Sequence, residues 1–120
     1  MKEFKIVAGA FHRNHRKRTI AIFYELTYED AIEAAIEILT LNDKVLIAEI
    51  HSRIGIDFYL LMALRWDSES KRVCPLYGRT IIKGLPDRQS VLDYCLKMKG
   101  KRTERDDGIG YLSSWDWGVY

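Results

Sequence analysis

The sequence predicts an α+β domain: an antiparallel sheet of about five strands with two helices on one face, in the order β-β-α-β-β-β-α, followed by an aromatic C-terminal tail. Three observations predict it. Two β-type apolar segments near the N-terminus bracket a short polar run, as the arms of a hairpin do. Two later segments carry apolar residues at helical spacing, each behind a capping side chain. Three further β-type segments stand between those helices, and short connections between neighbouring strands favour antiparallel pairing.

Residues 2–11 read as the first strand, because Phe4, Ile6, Ala8 and Ala10 alternate with Lys5, Val7, Gly9 and Phe11. Residues 19–26, rich in β-branched and aromatic side chains, read as the second. The run His12-Arg13-Asn14-His15-Arg16-Lys17-Arg18 lies between them and is expected at the hairpin tip. Thr27 is placed to cap a helix, with its hydroxyl accepting from the Asp30 N–H and the Asp30 carboxylate reaching back. Ala31, Ile32, Ala35, Ile36 and Leu39 form that helix's apolar face, and Asn42 is its stop.

Residues 45–52 and 57–66 follow as strands around a turn at Arg53-Ile54-Gly55. The run 58–64 contains helix-favouring leucines, methionine and alanine, but its length and position suit a central strand buried on both faces. Asp67-Ser68-Glu69-Ser70-Lys71 is a polar turn, and residues 72–77 are a return strand in which Pro75 indicates a sheet edge or a bulge. Residues 80–83 extend the sheet. Asp87 caps the second helix, Val91, Leu92, Cys95 and Leu96 are its buried face, and Gly100 is its end. Residues 1–100 thus make one α+β domain. Residues 101–107 are a charged linker and 108–120 an aromatic tail, expected to pack on the same domain.

A chain of 120 residues can bury a core without disulfide or metal staples. With 48% hydrophobic and 30% charged residues the composition is that of a globular protein. The net charge of +2 is too small for a general nucleic-acid coat, so an anion-binding role has to come from local clustering. Residues 1–4 run straight into a strand pattern, so no signal peptide is expected. No stretch approaches the ~20 apolar residues of a membrane span. Cys74 and Cys95, without CxxC spacing, read as reduced core residues. The expectation is a cytoplasmic protein with no membrane association and no cofactor or metal.

Four constellations bear on function. Arg13, Arg16, Lys17 and Arg18 are suited to phosphate or carboxylate, since an arginine fork makes bidentate contacts. Lys97, Lys99, Lys101 and Arg102 form a second basic group at the end of the second helix, where the macrodipole also favours cations. On one side of the molecule, the two would make a stripe fit for a nucleic-acid backbone. Against this stands a structural alternative. Glu29, Glu33 and Glu37 repeat every four residues with no lysine on their own helix, and on this reading the basic run serves only to neutralise them. That acidic face is also a candidate protein-docking surface. Trp115, Trp117 and Tyr120, with Tyr111, crowd the tail and either close the core or anchor a partner.

His12, His15 and His51 are the histidines available for acid–base cleavage of RNA, but a surface role is the preferred reading, because His-x-x-His on a loop has no distinctive geometry. Glu69-Ser70-Lys71 has the Glu-x-Lys spacing of metal-dependent nucleases, with Asp57 upstream, yet it falls in a turn rather than on a strand. Asp106-Asp107-Gly108 is likewise a turn. No phosphate loop or nucleophile elbow occurs.

Residues 28–99 read helix, three strands, helix, and in element order this is similar to the double-stranded-RNA-binding domain. That family grips phosphates from the start of its second helix. Here that start is Pro86-Asp87-Arg88-Gln89-Ser90, with a single arginine, so the family's residues are not carried over. The junction Glu25-Leu26-Thr27-Tyr28-Glu29-Asp30-Ala31 resembles the strand-to-helix junction of small phage-encoded accessory proteins, which implies a host-targeting inhibitor or accessory role. The preferred expectation is a non-enzymatic binding protein that contacts nucleic acid or an acidic protein surface through the basic hairpin. The alternatives are a protein–protein inhibitor or adaptor using the acidic face or tail, and a small histidine-dependent nuclease.

Overall fold

Alternation in the N-terminal segment produces β1 (Phe4–Phe11), which pairs antiparallel with β2 (Lys17–Glu25). The computed structural model describes residues 3–11, 17–77 and 80–99. Phe11 pairs with Lys17, so the hairpin connection is residues 12–16. The basic run is therefore divided: Lys17 and Arg18 belong to strand β2, not to the loop as expected. Ala8 faces Ala21 and Gly9 faces Thr19, which leaves Ile20 as an extra residue on β2, a β-bulge.

Helix α1 (Tyr28–Leu41) starts at Thr27, whose Oγ1 accepts from the Asp30 N–H at 3.0 Å. It ends at Asn42, whose N–H bonds to the Ile38 carbonyl. Strands β3 (Ile47–Ile54), β4 (Asp57–Asp67) and β5 (Arg72–Tyr77) then form a meander. Its first turn is Gly55-Ile56, where the sequence suggests Arg53-Ile54-Gly55. Gly55 has φ +65°, the sign primed hairpin turns need at their first position. The ambiguous run 58–64 is strand, in the middle of the sheet.

A short β6 (Thr80–Ile81) follows, then helix α2 (Arg88–Lys97), capped by Asp87 through the Ser90 N–H. The six strands stand in the order β2-β1-β3-β4-β5-β6, all neighbours antiparallel, one strand more than the sequence suggests. Pro75 is tolerated one strand in from the edge. Its carbonyl accepts from the Ile82 N–H on the outer side, so its missing N–H also faces outward and costs the β4 ladder nothing.

Both helices cover one face. Phe4, Ile6, Ala8, Ala48, Ile50, Met62, Leu64 and Val73 meet Tyr28, Ala31, Ile32, Ala35, Ile36 and Leu39 of α1 and Val91, Leu92 and Cys95 of α2 there. Tyr28 Oη donates to the Cys95 carbonyl at 3.1 Å and ties the helices together. The reverse face carries a smaller cluster, Val7, Ile47, Ala63 and Leu76, with Ile81 against it. Cys74 and Cys95 are free and buried. Among the described residues no helix is long and apolar enough to cross a membrane.

Candidate functional site

The register sorts the charged groups by the two ends of the sheet. Gly9 lies beside Ile47, Ile47 beside Arg65, and the Leu46 N–H bonds to the Gly9 carbonyl. The β2 positions Lys17 and Arg18, exposed Lys44 before β3 and exposed Arg65 on β4 are thus at one end. Lys44 and Arg65 are members that sequence reading missed. Each is a lone cation in its own segment, and only the strand order brings it to the hairpin's end.

The second basic group lies elsewhere. Lys99 Nζ stands 5.9 Å from the Phe4 ring centre and 5.2 Å from that of Tyr28, within cation–π range. Phe4 is the first residue of β1, so Lys97 and Lys99 flank the end opposite the hairpin connection. The strand between them covers about 23 Å at 3.3 Å per residue. Lys101 and Arg102 lie outside the described residues, as do His12, Arg13, Asn14, His15 and Arg16 themselves.

Glu29, Glu33 and Glu37 are exposed along α1. Their neighbouring cation comes from α2: Arg88 Nη2 approaches Glu37 Oε2 at 4.0 Å and donates to the Glu33 carbonyl at 3.4 Å. An exposed pair at that distance contributes little, but it answers part of the repulsion along α1 from outside the hairpin. Arg72 is also engaged structurally, donating to the carbonyls of Leu85 and Pro86 and so holding the segment before α2. Trp115, Trp117, Tyr120 and Tyr111 lie outside the described residues, and so does Asp106-Asp107-Gly108.

His51 overturns the surface-histidine reading. It lies within β3, fully buried, and its Nε2 is 3.0 Å from Oε1 of Glu49, which is equally buried. The two share the reverse face because they are two apart on a strand. Glu49 Oε2 and His51 Nδ1 have no hydrogen-bond partner among the described residues. Opposite His51 the ladder slips: Ile50 pairs with Met62 but His51 with Leu60, so Leu61 is extra on β4. The bulge re-phases β4 and brings both Leu60 and Ala63 to the reverse face, beside the pair.

Lys5 is the register partner of His51, and its Nζ sits 4.3 Å from the Phe58 ring centre. Burial holds the Lys5 amine below the usual lysine range, while the Glu49 carboxylate pulls it back up. A carboxylate–imidazole pair is acid–base machinery only where a substrate can reach it. Both side chains of this pair are fully buried. Sequence reading missed Glu49, although its spacing of two from His51 amid Ile47, Ala48 and Ile50 was the available signal.

The Glu-x-Lys tripeptide falls in the turn between β4 and β5, as expected. Asp67 Oδ2 accepts from the Ser70 hydroxyl at 2.7 Å and from its N–H at 3.3 Å, and the Ser70 hydroxyl is the main cause of an Asp67 carboxyl below its ordinary range. Lys83 Nζ reaches Glu69 at 2.9 Å and Asp67 at 3.9 Å, and the Glu69 bond raises the Lys83 amine. The turn is a closed hydrogen-bonded unit, and no group of three metal-ligating side chains occurs among the described residues. Comparison with protein-family models, with curated proteins and with solved structures finds no match to this chain.

Proposed function

We propose that this is a non-enzymatic binding protein that holds the phosphate backbone of a nucleic acid at the basic end of its sheet. The observation that carries the reading is the gathering of the β2 positions Lys17 and Arg18 with Lys44 and Arg65 at one end of adjacent strands, with Arg13 and Arg16 next to Lys17 in the sequence. Cations grouped on a rigid frame release condensed counterions on meeting a phosphate chain, and this drives binding without base-specific contacts. Two facts support it. The acidic stripe of α1 has Arg88 for a neighbour, and the buried Glu49–His51 pair is closed to a substrate.

Fluorescence anisotropy with labelled single- and double-stranded oligonucleotides at rising salt tests this. Binding should weaken steeply with salt, and changing Arg13, Arg16, Lys17 and Arg18 together to Ala should cost about tenfold or more at low salt. The pair K44A/R65A should flatten the salt slope by up to about 1 per lost phosphate contact. A quadruple variant that folds and binds as the parent does removes the hairpin from the function. Binding to an acidic protein, with none to any oligonucleotide, replaces nucleic acid by that partner.

A further inference from the structure

Among the described residues the sheet has one long edge without a neighbouring strand. Strand β2 has nine residues, pairs among the described residues with β1 alone, and has no charge and no proline from 19 to 24. Natural edges are blunted by charge, proline or shortness, because a row of free N–H and C=O groups invites another strand. Its described side chains from 22 to 24 are large, hydrophobic and exposed, on both faces. Ile22 and Tyr24, in register with Val7 and Lys5 on the reverse face, are 50% and 57% exposed. Phe23, on the helix side, is 42% exposed. Phe23 also lines an open groove of about 570 Å³ against α1, whose walls include Ala34, Ile38 and Leu41. Leu41 is 76% exposed, so the apolar surface runs from the edge onto the helix.

We propose that the occupant of this edge is β2 of a second copy of the chain, paired antiparallel about a twofold axis through Ile22. The strand is self-complementary in that register. With Ile20 left as the extra residue, as it is against β1, Ile22 meets its own copy, Phe23 meets Ala21, Tyr24 meets Thr19 and Glu25 meets Arg18. Every matched pair lies on the same face of the sheet, as antiparallel neighbours must. The acidic end of each strand meets the basic end of the other, twice, and no like charges oppose. Because the axis is perpendicular to the sheet, both α1 helices lie on the same side, and their two grooves face each other across the seam. The result is an isologous dimer with a continuous twelve-stranded sheet.

Sedimentation velocity of the full chain over a wide concentration range tests this. The chain should sediment as a dimer. Ile22→Lys puts two cations on the axis at a half-exposed position and should raise the dissociation constant by about tenfold or more while circular dichroism stays that of the parent. Glu25→Arg should weaken the dimer, and Arg18→Glu with Glu25→Arg should recover it. In air-saturated buffer with a copper catalyst, Ile22→Cys should form an interchain disulfide, its two thiols giving two electrons and two protons to oxygen, because the new thiol is at an exposed site. Burial raises the Cys74 thiol and pushes that of Cys95 up to about 12, so neither competes. A parent chain that is monomeric throughout overturns the proposal. So does a folded Ile22→Lys variant as dimeric as the parent, or an Ile22→Cys variant that forms no interchain bond.

Discussion

Beneath the helices, β1, β3 and β4 present Ile6, Ala8, Ala48, Ile50, Met62 and Leu64, all apolar and all buried. On the reverse of the same three strands stand Val7, Ile47 and Ala63, and among them the buried Glu49 and His51. The difference lies in what each face needs to stay stable. The helix side is held by volume and area, and tolerates any change that fills the same space. The reverse side is held partly by pairing, because a carboxylate and an imidazole out of water depend on each other. A strand with one covered face alternates apolar and polar. Here β3 is covered on both, so its polar residues are interior ones.

The largest expected effect comes from breaking the pair. Glu49→Leu leaves His51 buried without its acceptor and should cost about 3–5 kcal/mol in urea unfolding. Glu49→Leu with His51→Leu should recover most of that loss, since an apolar pair of similar size is often neutral or better there. Additive single costs would show that the two residues pack independently and would dissolve the distinction between the faces. On the helix side Leu64→Ala should cost roughly 2–5 kcal/mol with no second-site rescue by a polar change, a pure cavity effect. Thr27→Ala touches neither face, loses one cap bond, and should cost about 1 kcal/mol.

The smallest effect is conditional on pH. The Asp67 carboxyl is depressed in the folded chain by the Ser70 hydroxyl. Its contribution is therefore present above the unfolded value of about 3.9 and is lost as pH falls through the folded value. The melting temperature of Asp67→Asn should lie below the parent's near neutral pH, and the gap should close as the solution is acidified below about pH 4. A gap independent of pH would mean that the turn is held by shape rather than by the charged form.

Much of the fold was legible because its signals are local. The Thr27 cap, the helical spacing of Ala31, Ile32, Ala35, Ile36 and Leu39, the Asp87 cap and the turn at Asp67 each depend on residues a few positions apart. The candidate site was legible in part. Arg13, Arg16, Lys17 and Arg18 announce themselves by density, whereas Lys44 and Arg65 reach the end that holds Lys17 only through the pairing of Gly9 with Ile47 and of Ile47 with Arg65. The alternation that places a strand does not say how many of its faces are covered, so His51 could be read as a surface residue.

The sequence by itself therefore determined the order of the elements, their caps, and the hairpin that carries the basic run. Periodicity and capping act within one turn or one pleat, and those distances are set by the backbone. Only the tertiary structure decided that β1 lies between β2 and β3, which puts Lys17 and Lys99 at opposite ends of the sheet and leaves β2, among the described residues, at its edge. It also decided that Glu49 and His51 are interior. Both depend on which strand lies beside which, a contest among contacts far apart in the chain that no local pattern encodes.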